Sequence, residues 1–413
     1  MRRSSPAVLW TAFLAAHLLV AGLGWVLPSQ PMGDVHLVYE PWSTDALGGG
    51  EIVGLTETWV YPQLALIPML LTQGLATVLA PLAGAGSYLI AWALLVTIVD
   101  VLGFAVLLGA GGSATRRRAA WFWIAAIVLL GPIGMYRIDA ITVPIAVVGG
   151  VWLLTRPAIA AALFTIGAWI KIWPAALVAA GVALLRARWR MVVSAATVTA
   201  VVVLLLLSLG GAPHLLGFLT EQTGRGLQIE PAVATPFLWM AAFGAARIFY
   251  STEILTFQIK APGADVVAAL MTPLMALVVL GIAALAIWRL RAGVEPLRLL
   301  PPTALSLVVA LIVCNKVGSP QFHTWLLAPT IIWFLYDRGR ATLPAALVLV
   351  SCALTQLVYP ITYDGLLAAQ VLPILLITVR NAVVVAIGVV SIRAMLRTPA
   401  PVPPSARVPS VSA

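Results

Sequence analysis

Long apolar stretches recur along almost the whole chain, broken by short polar joints. Each runs for roughly 15 to 25 residues, about enough to carry a helix through a hydrocarbon core of about 30 Å, where a helix satisfies its own backbone. The pattern predicts crossings near 1–27, 88–109, 120–135, 140–155, 157–170, 174–188, 191–210, 265–288, 299–314, 323–336, 341–358 and 379–396. A further apolar helix over 62–80, "PQLALIPMLLTQGLATVLA", is expected to lie along the outer interface. If it crossed instead, Arg116, Arg117 and Arg118 would sit outside, against the preference of short cytoplasmic loops for Lys and Arg. The expectation is an all-α polytopic membrane protein of about twelve transmembrane helices, with both termini cytoplasmic.

Composition agrees with that pattern. Hydrophobic residues make up 62% of the 413 and charged ones only 9%, which excludes an ordinary water-soluble domain. One domain over 1–397 is expected, with a first extracytoplasmic loop over 29–87. The first apolar run is too long for the usual signal-peptide core and reads as a retained helix behind Arg2 and Arg3. The Pro- and Ser-rich end, 398–413, reads as a disordered cytoplasmic tail. Cys314 and Cys352 lie in apolar runs without metal or disulfide spacing, so packing is their expected role.

The net charge of +10 does not point to nucleic acid, because the arginines are scattered at helix ends and form no aromatic-laced patch. They report topology. Residues 29–60 carry Asp34, Glu40, Asp45, Glu51 and Glu57 with no Lys or Arg, which places that segment outside. All three lysines, Lys171, Lys260 and Lys316, fall on the same outer side, where the charge rule does not put them. Interfacial snorkelling accounts for Lys260 and Arg380, whereas Lys171 and Lys316 suggest an anionic ligand.

A one-sided collection of acids and cations beside a bilayer suits a substrate that is itself half lipid, such as a sugar on a polyprenyl phosphate. One carboxylate takes the proton of an acceptor hydroxyl, and cations stabilise charge growing on the leaving phosphate. Asp34, the first acid after the first helix, is the candidate base, and His36 lies two residues on. Asp100 falls inside the second crossing and is expected to pair with a buried polar group or stay protonated. Trp42, Trp59, Trp169, Trp173, Trp239 and Trp325 suit sugar stacking, though interface anchoring is the default for membrane tryptophans. No metal-ligand spacing and no Gly-rich nucleotide loop occurs, so neither a metal nor a cofactor is expected. A transporter or flippase of a lipid-linked or polar substrate is the alternative, but no internal repeat is visible and the polar residues gather on one face.

Several short motifs, in order, resemble glycosyltransferase family 87, membrane enzymes of the GT-C superfold similar to the actinobacterial polyprenol-phosphate-mannose-dependent mannosyltransferases. Asp34 with Tyr39 matches the family's first-loop acid and following tyrosine. "WVYPQL", with Tyr61, matches an aromatic-Tyr-Pro-Pro-Leu element in which Gln63 replaces the second proline. "YRIDA" matches an Arg-x-Asp pair at Arg137 and Asp139, and "GAWIKIWPAAL" a Lys-x-x-Pro break at Lys171 and Pro174. "GRGLQIEP" retains Arg225, Gln228 and Glu230 but has Pro231 where the family has serine. "NKVGSPQFH" matches a Lys-Val-x-Ser-Pro-Gln-aromatic stretch, with Lys316, Ser319, Gln321 and His323. The resemblance implies a GT-C-like helical bundle moving a sugar, mannose by analogy, from a polyprenyl-phosphate donor to a glycolipid such as a phosphatidylinositol mannoside. It implies inversion with Asp34 as base, His323 assisting, and Lys171, Arg225 and Lys316 on the donor phosphate. His36, Tyr39, Tyr61, Arg137, Asp139, Gln228, Glu230, Ser319 and Gln321 are the expected substrate-binding residues.

Overall fold

A computed structural model describes residues 5–110, 112–221, 224–252 and 256–399. Arg2, Arg3 and nearly all of the expected tail lie outside the described residues. Helix α1 (Pro6–Val26) starts at Ser5, whose hydroxyl accepts from the Val8 amide, and has proline at its first position. After a π-helical turn, Val35–Tyr39, come α2 (Glu40–Leu47), α3 (Leu66–Ala83) and α4 (Ser87–Leu108).

Helices α1 and α4 run antiparallel. Phe13 stacks on Phe104, His17 meets Asp100 at 3.0 Å, and a side chain on Gly86 would touch Trp25. The end of α1 and the start of α4 therefore share one end of the bundle. Between them, α3 stays at that end: Tyr88 donates to the Met69 carbonyl at 3.3 Å, and Gln73 donates to Thr44 of α2 at 2.7 Å. The charge inside the second crossing is accounted for, since Asp100 is buried against His17.

Then follow α5 (Ala114–Leu130), α6 (Asp139–Trp152), α7 (Pro157–Ile170), α8 (Ala175–Leu184) and α9 (Arg188–Ser208). The short α10 (Gly217–Thr220) and α11 (Thr235–Ala242) lead to a hairpin of β1 (Arg247–Ser251) and β2 (Thr256–Lys260), where Phe249 pairs with Gln258. Next are α12 (Ala264–Arg291), α13 (Pro296–Val313), α14 (Leu327–Gln356), α15 (Tyr363–Leu367) and α16 (Val371–Arg397).

The expected apolar segments all form helices, and among the described residues eight segments are long and apolar enough to cross a membrane. The difference from twelve has two sources. Helices α6, α7 and α8 have 14, 14 and 10 residues, about 21, 21 and 15 Å at 1.5 Å per residue, short of a full core. Segments 323–336 and 341–358 join into α14, interrupted only where Asp337 leaves helical geometry. The many exposed Leu and Val side chains of α9 and α12 suit hydrocarbon, the environment of a multi-pass membrane protein.

Candidate active site

The site begins where α1 ends. Ser29 and Gln30 take positive φ, folding the chain back so that Asp34 starts the π-helical turn. Its Oδ2 lies 3.2 Å from Arg137 Nε. Arg137 also donates to the carbonyls of Pro31 and Tyr136, each at 2.8 Å, and to the Tyr359 hydroxyl at 3.4 Å. Tyr359 in turn donates to the Ser29 carbonyl at 2.9 Å. The guanidinium is buried, whereas the Asp34 carboxylate is 36% exposed, so the acid is aimed outward from a buried cationic base.

Behind this pair sits a second. Helix α7 stops at Ile170 because Pro174 cannot continue its hydrogen bonds, and Lys171 is left extended (φ −151°, ψ 128°). Its Nζ lies 3.7 Å from Asp139 Oδ2 and 4.2 Å from the centre of the Tyr61 ring. Trp325 donates its indole N–H to the other Asp139 oxygen. Asp139 has no solvent exposure, and its two oxygens face Lys171 and Trp325. Tyr39 is also fully buried; it shares a hydrogen bond with Tyr61 and accepts one from the Ile138 amide at 3.2 Å. Burial raises the pKa of both phenols, so they remain neutral donors at physiological pH.

The third part is a pair of loops stitched together. The Gln228 amide donates to the Lys316 carbonyl, and the Gly318 amide to Gln228 Oε1, both at 3.1 Å. A Cβ on Gly318 would lie 2.2 Å from Pro231 N, so only glycine permits this approach. The stitching brings Arg225 and Lys316 together: burial lowers both pKa values, and the Arg225 charge lowers that of Lys316 further. Glu230 is paired with Arg380 of α16 at 2.8 Å, both buried. Arg380 is therefore not a snorkelling cation at the interface, as its sequence position suggests, but the fixed partner of an inner carboxylate.

Ser319 is extended ahead of Pro320 and makes no side-chain cap on the 3₁₀ turn Pro320–Leu326. Gln321 is buried, its Oε1 without a partner among the described residues, and His323 is buried with Nδ1 2.7 Å from Ser351 Oγ of α14. A small pocket collects Glu230, Ser319, His323 and Arg380.

Asp34, Tyr39, Tyr61, Arg137, Asp139, Lys171, Arg225, Gln228 and Lys316 are thus linked through these contacts, Glu230, Ser319 and His323 meet at the pocket, and Gln321 lies in the turn between the last two. His36 is the exception: it points outward, mostly exposed, and meets Glu40 at 2.8 Å within one helical turn. Trp325, Tyr359, Arg380 and Ser351 carry contacts that the sequence reading did not assign. An arginine within the apolar run 371–397 was the one direct signal among them. No family model, curated protein or solved structure matches this chain.

Proposed function

We propose that this chain is an integral membrane glycosyltransferase, resembling glycosyltransferase family 87, that moves a sugar from a polyprenyl phosphate to a glycolipid at the extracytoplasmic face. Mannose is the sugar that the resemblance suggests. The observation that carries this reading is the convergence at one end of the bundle of an outward-aimed carboxylate, Asp34, with the cations Lys171, Arg225 and Lys316. Tyr61, in contact with Lys171 and close enough to Arg225 to favour its charged form, links the two halves of this arrangement.

In the proposed reaction the acceptor oxygen attacks the anomeric carbon as the bond from that carbon to the phosphate oxygen breaks, with inversion. The acceptor proton passes to Asp34, a contribution of typically 10² to 10⁴-fold. Arg137 orients the carboxylate from beneath. The leaving phosphate departs as an anion held by Arg225 and Lys316, so no general acid is required. Lys171, gripped by Asp139 and the rings of Tyr61 and Phe322, supplies a third positive charge to the same anion.

The test is transfer from radiolabelled polyprenyl-phosphate-mannose to glycolipid by the purified protein in detergent. A labelled glycolipid product is expected. Solute movement by proteoliposomes without any glycosidic product would replace this reading with a transporter.

A further inference from the structure

Several buried hydroxyls of the transmembrane helices share one habit, from which Ser306 of α13, without a partner among the described residues, already departs. Thr303, Thr330, Thr355 and Ser391 each donate to the carbonyl four residues earlier, at 2.7 to 2.8 Å. Ser351 departs from it. Fully buried in α14, its hydroxyl has one hydrogen-bond partner among the described residues, Nδ1 of His323. Two arrangements of protons are possible. If Nδ1 carried the proton, the Ser351 hydrogen would be buried with no acceptor, at a cost of about 1 to 3 kcal/mol. If Ser351 donates, both atoms are satisfied and the ring proton resides on Nε2.

The pocket that His323 lines is walled by the turn at Ser319, the Glu230 loop, α13 and α16, and Ser351 does not line it. The ring edge turned toward the pocket is therefore the Nε2 edge. The pocket's other charges are already spent on each other. Arg380 donates to Glu230 Oε2 at 2.8 Å, to the Glu230 carbonyl at 2.7 Å, and through Nε and Nη2 to Asn381 Oδ1 at 3.2 and 3.1 Å. A neutralised ion pair beside neutral donors is a poor seat for an anion and a good one for hydroxyl groups.

We propose that Ser351 is a positioning residue that locks His323 as an Nε2–H donor, and that this pocket takes uncharged sugar hydroxyls while the phosphate lies on Arg225 and Lys316. Of the two roles open to His323, substrate binding and acid–base assistance, this assigns the first. The sugar part of this assignment rests on the transferase reading; the locked tautomer does not.

The test has two arms on the full-length protein in detergent. In the first, ¹⁵N-histidine spectra of the parent are assigned by difference with His323→Gln. Nδ1 of His323 is expected as the bare ring nitrogen and Nε2 as the protonated one, with the pattern lost in Ser351→Ala and restored in Ser351→Thr. A protonated Nδ1 in the parent would overturn the proposal, whatever the activity. In the second arm, His323→Gln keeps an amide N–H near the Nε2 position. It is expected to lose about tenfold or less in kcat/KM with polyprenyl-phosphate-mannose, the scale of one neutral hydrogen bond, with an unchanged pH profile. A fall of about 10² to 10⁴ in kcat with a missing limb of the pH profile would mean proton transfer by His323 and contradict the donor role. A parent without transferase activity would remove the sugar from the proposal and leave the tautomer decided by the spectra.

Discussion

At the scale of single residues, burial separates the two carboxylates of the site. Asp34 and Asp139 are both acids paired with a cation, yet one is a third exposed and the other not at all. Replacing Asp139 by Asn leaves the Lys171 ammonium buried without its counter-charge, and stability should fall by about 3 to 5 kcal/mol, the usual cost of breaking a buried pair. Asp34→Asn should cost far less, since water can take over around an exposed carboxylate. Thermal unfolding in detergent reports both values. Lys316 gives a pH prediction. Burial and Arg225 disfavour its charged form, so it loses its proton at a lower pH than an ordinary lysine. Donor affinity should accordingly decline as pH rises, starting below the normal lysine range. Lys316→Arg should move that decline to higher pH, which equilibrium binding of the donor at several pH values will measure.

Elements carry predictions of a different kind, because the site is assembled from chain breaks. Gly318 lets the 315–320 loop lie against Pro231, and its Cβ in a Gly318→Ala variant would strike backbone, which cannot swing aside. That variant should lose most transfer activity while the transmembrane helices persist, as judged by circular dichroism beside the activity assay. The apolar runs made the helices themselves legible, since nothing but a helix suits such a run in lipid. The number of crossings was less legible, because length in sequence did not reveal that α6 to α8 are short or that α14 continues past Asp337. The β1–β2 hairpin was missed: "RIFYS" and "TFQIK" alternate only weakly and lie in what reads as a polar loop. Candidate site residues were legible as types at helix ends. Their partners were not, because Tyr359, Ser351 and Arg380 lie far along the chain from Arg137, His323 and Glu230.

For the whole molecule, every part of the proposed site must lie on one side of the bilayer. Helices α1 and α4 set this geometry, because their antiparallel packing keeps the end of α1, Asp34 and the start of α4 at one end and carries the chain on to Arg116, Arg117 and Arg118 at the other. Cysteine introduced at Thr44 or Asp45 should react with a membrane-impermeant maleimide on intact cells, whereas cysteine at Thr115 should react only after permeabilisation; the native Cys314 and Cys352 are buried. The most direct measurement is turnover by Asp34→Asn with polyprenyl-phosphate-mannose, made together with donor affinity. Turnover is expected to fall by about 10² to 10⁴-fold with the donor still bound as tightly as by the parent. Turnover equal to that of the parent would contradict the proposed base.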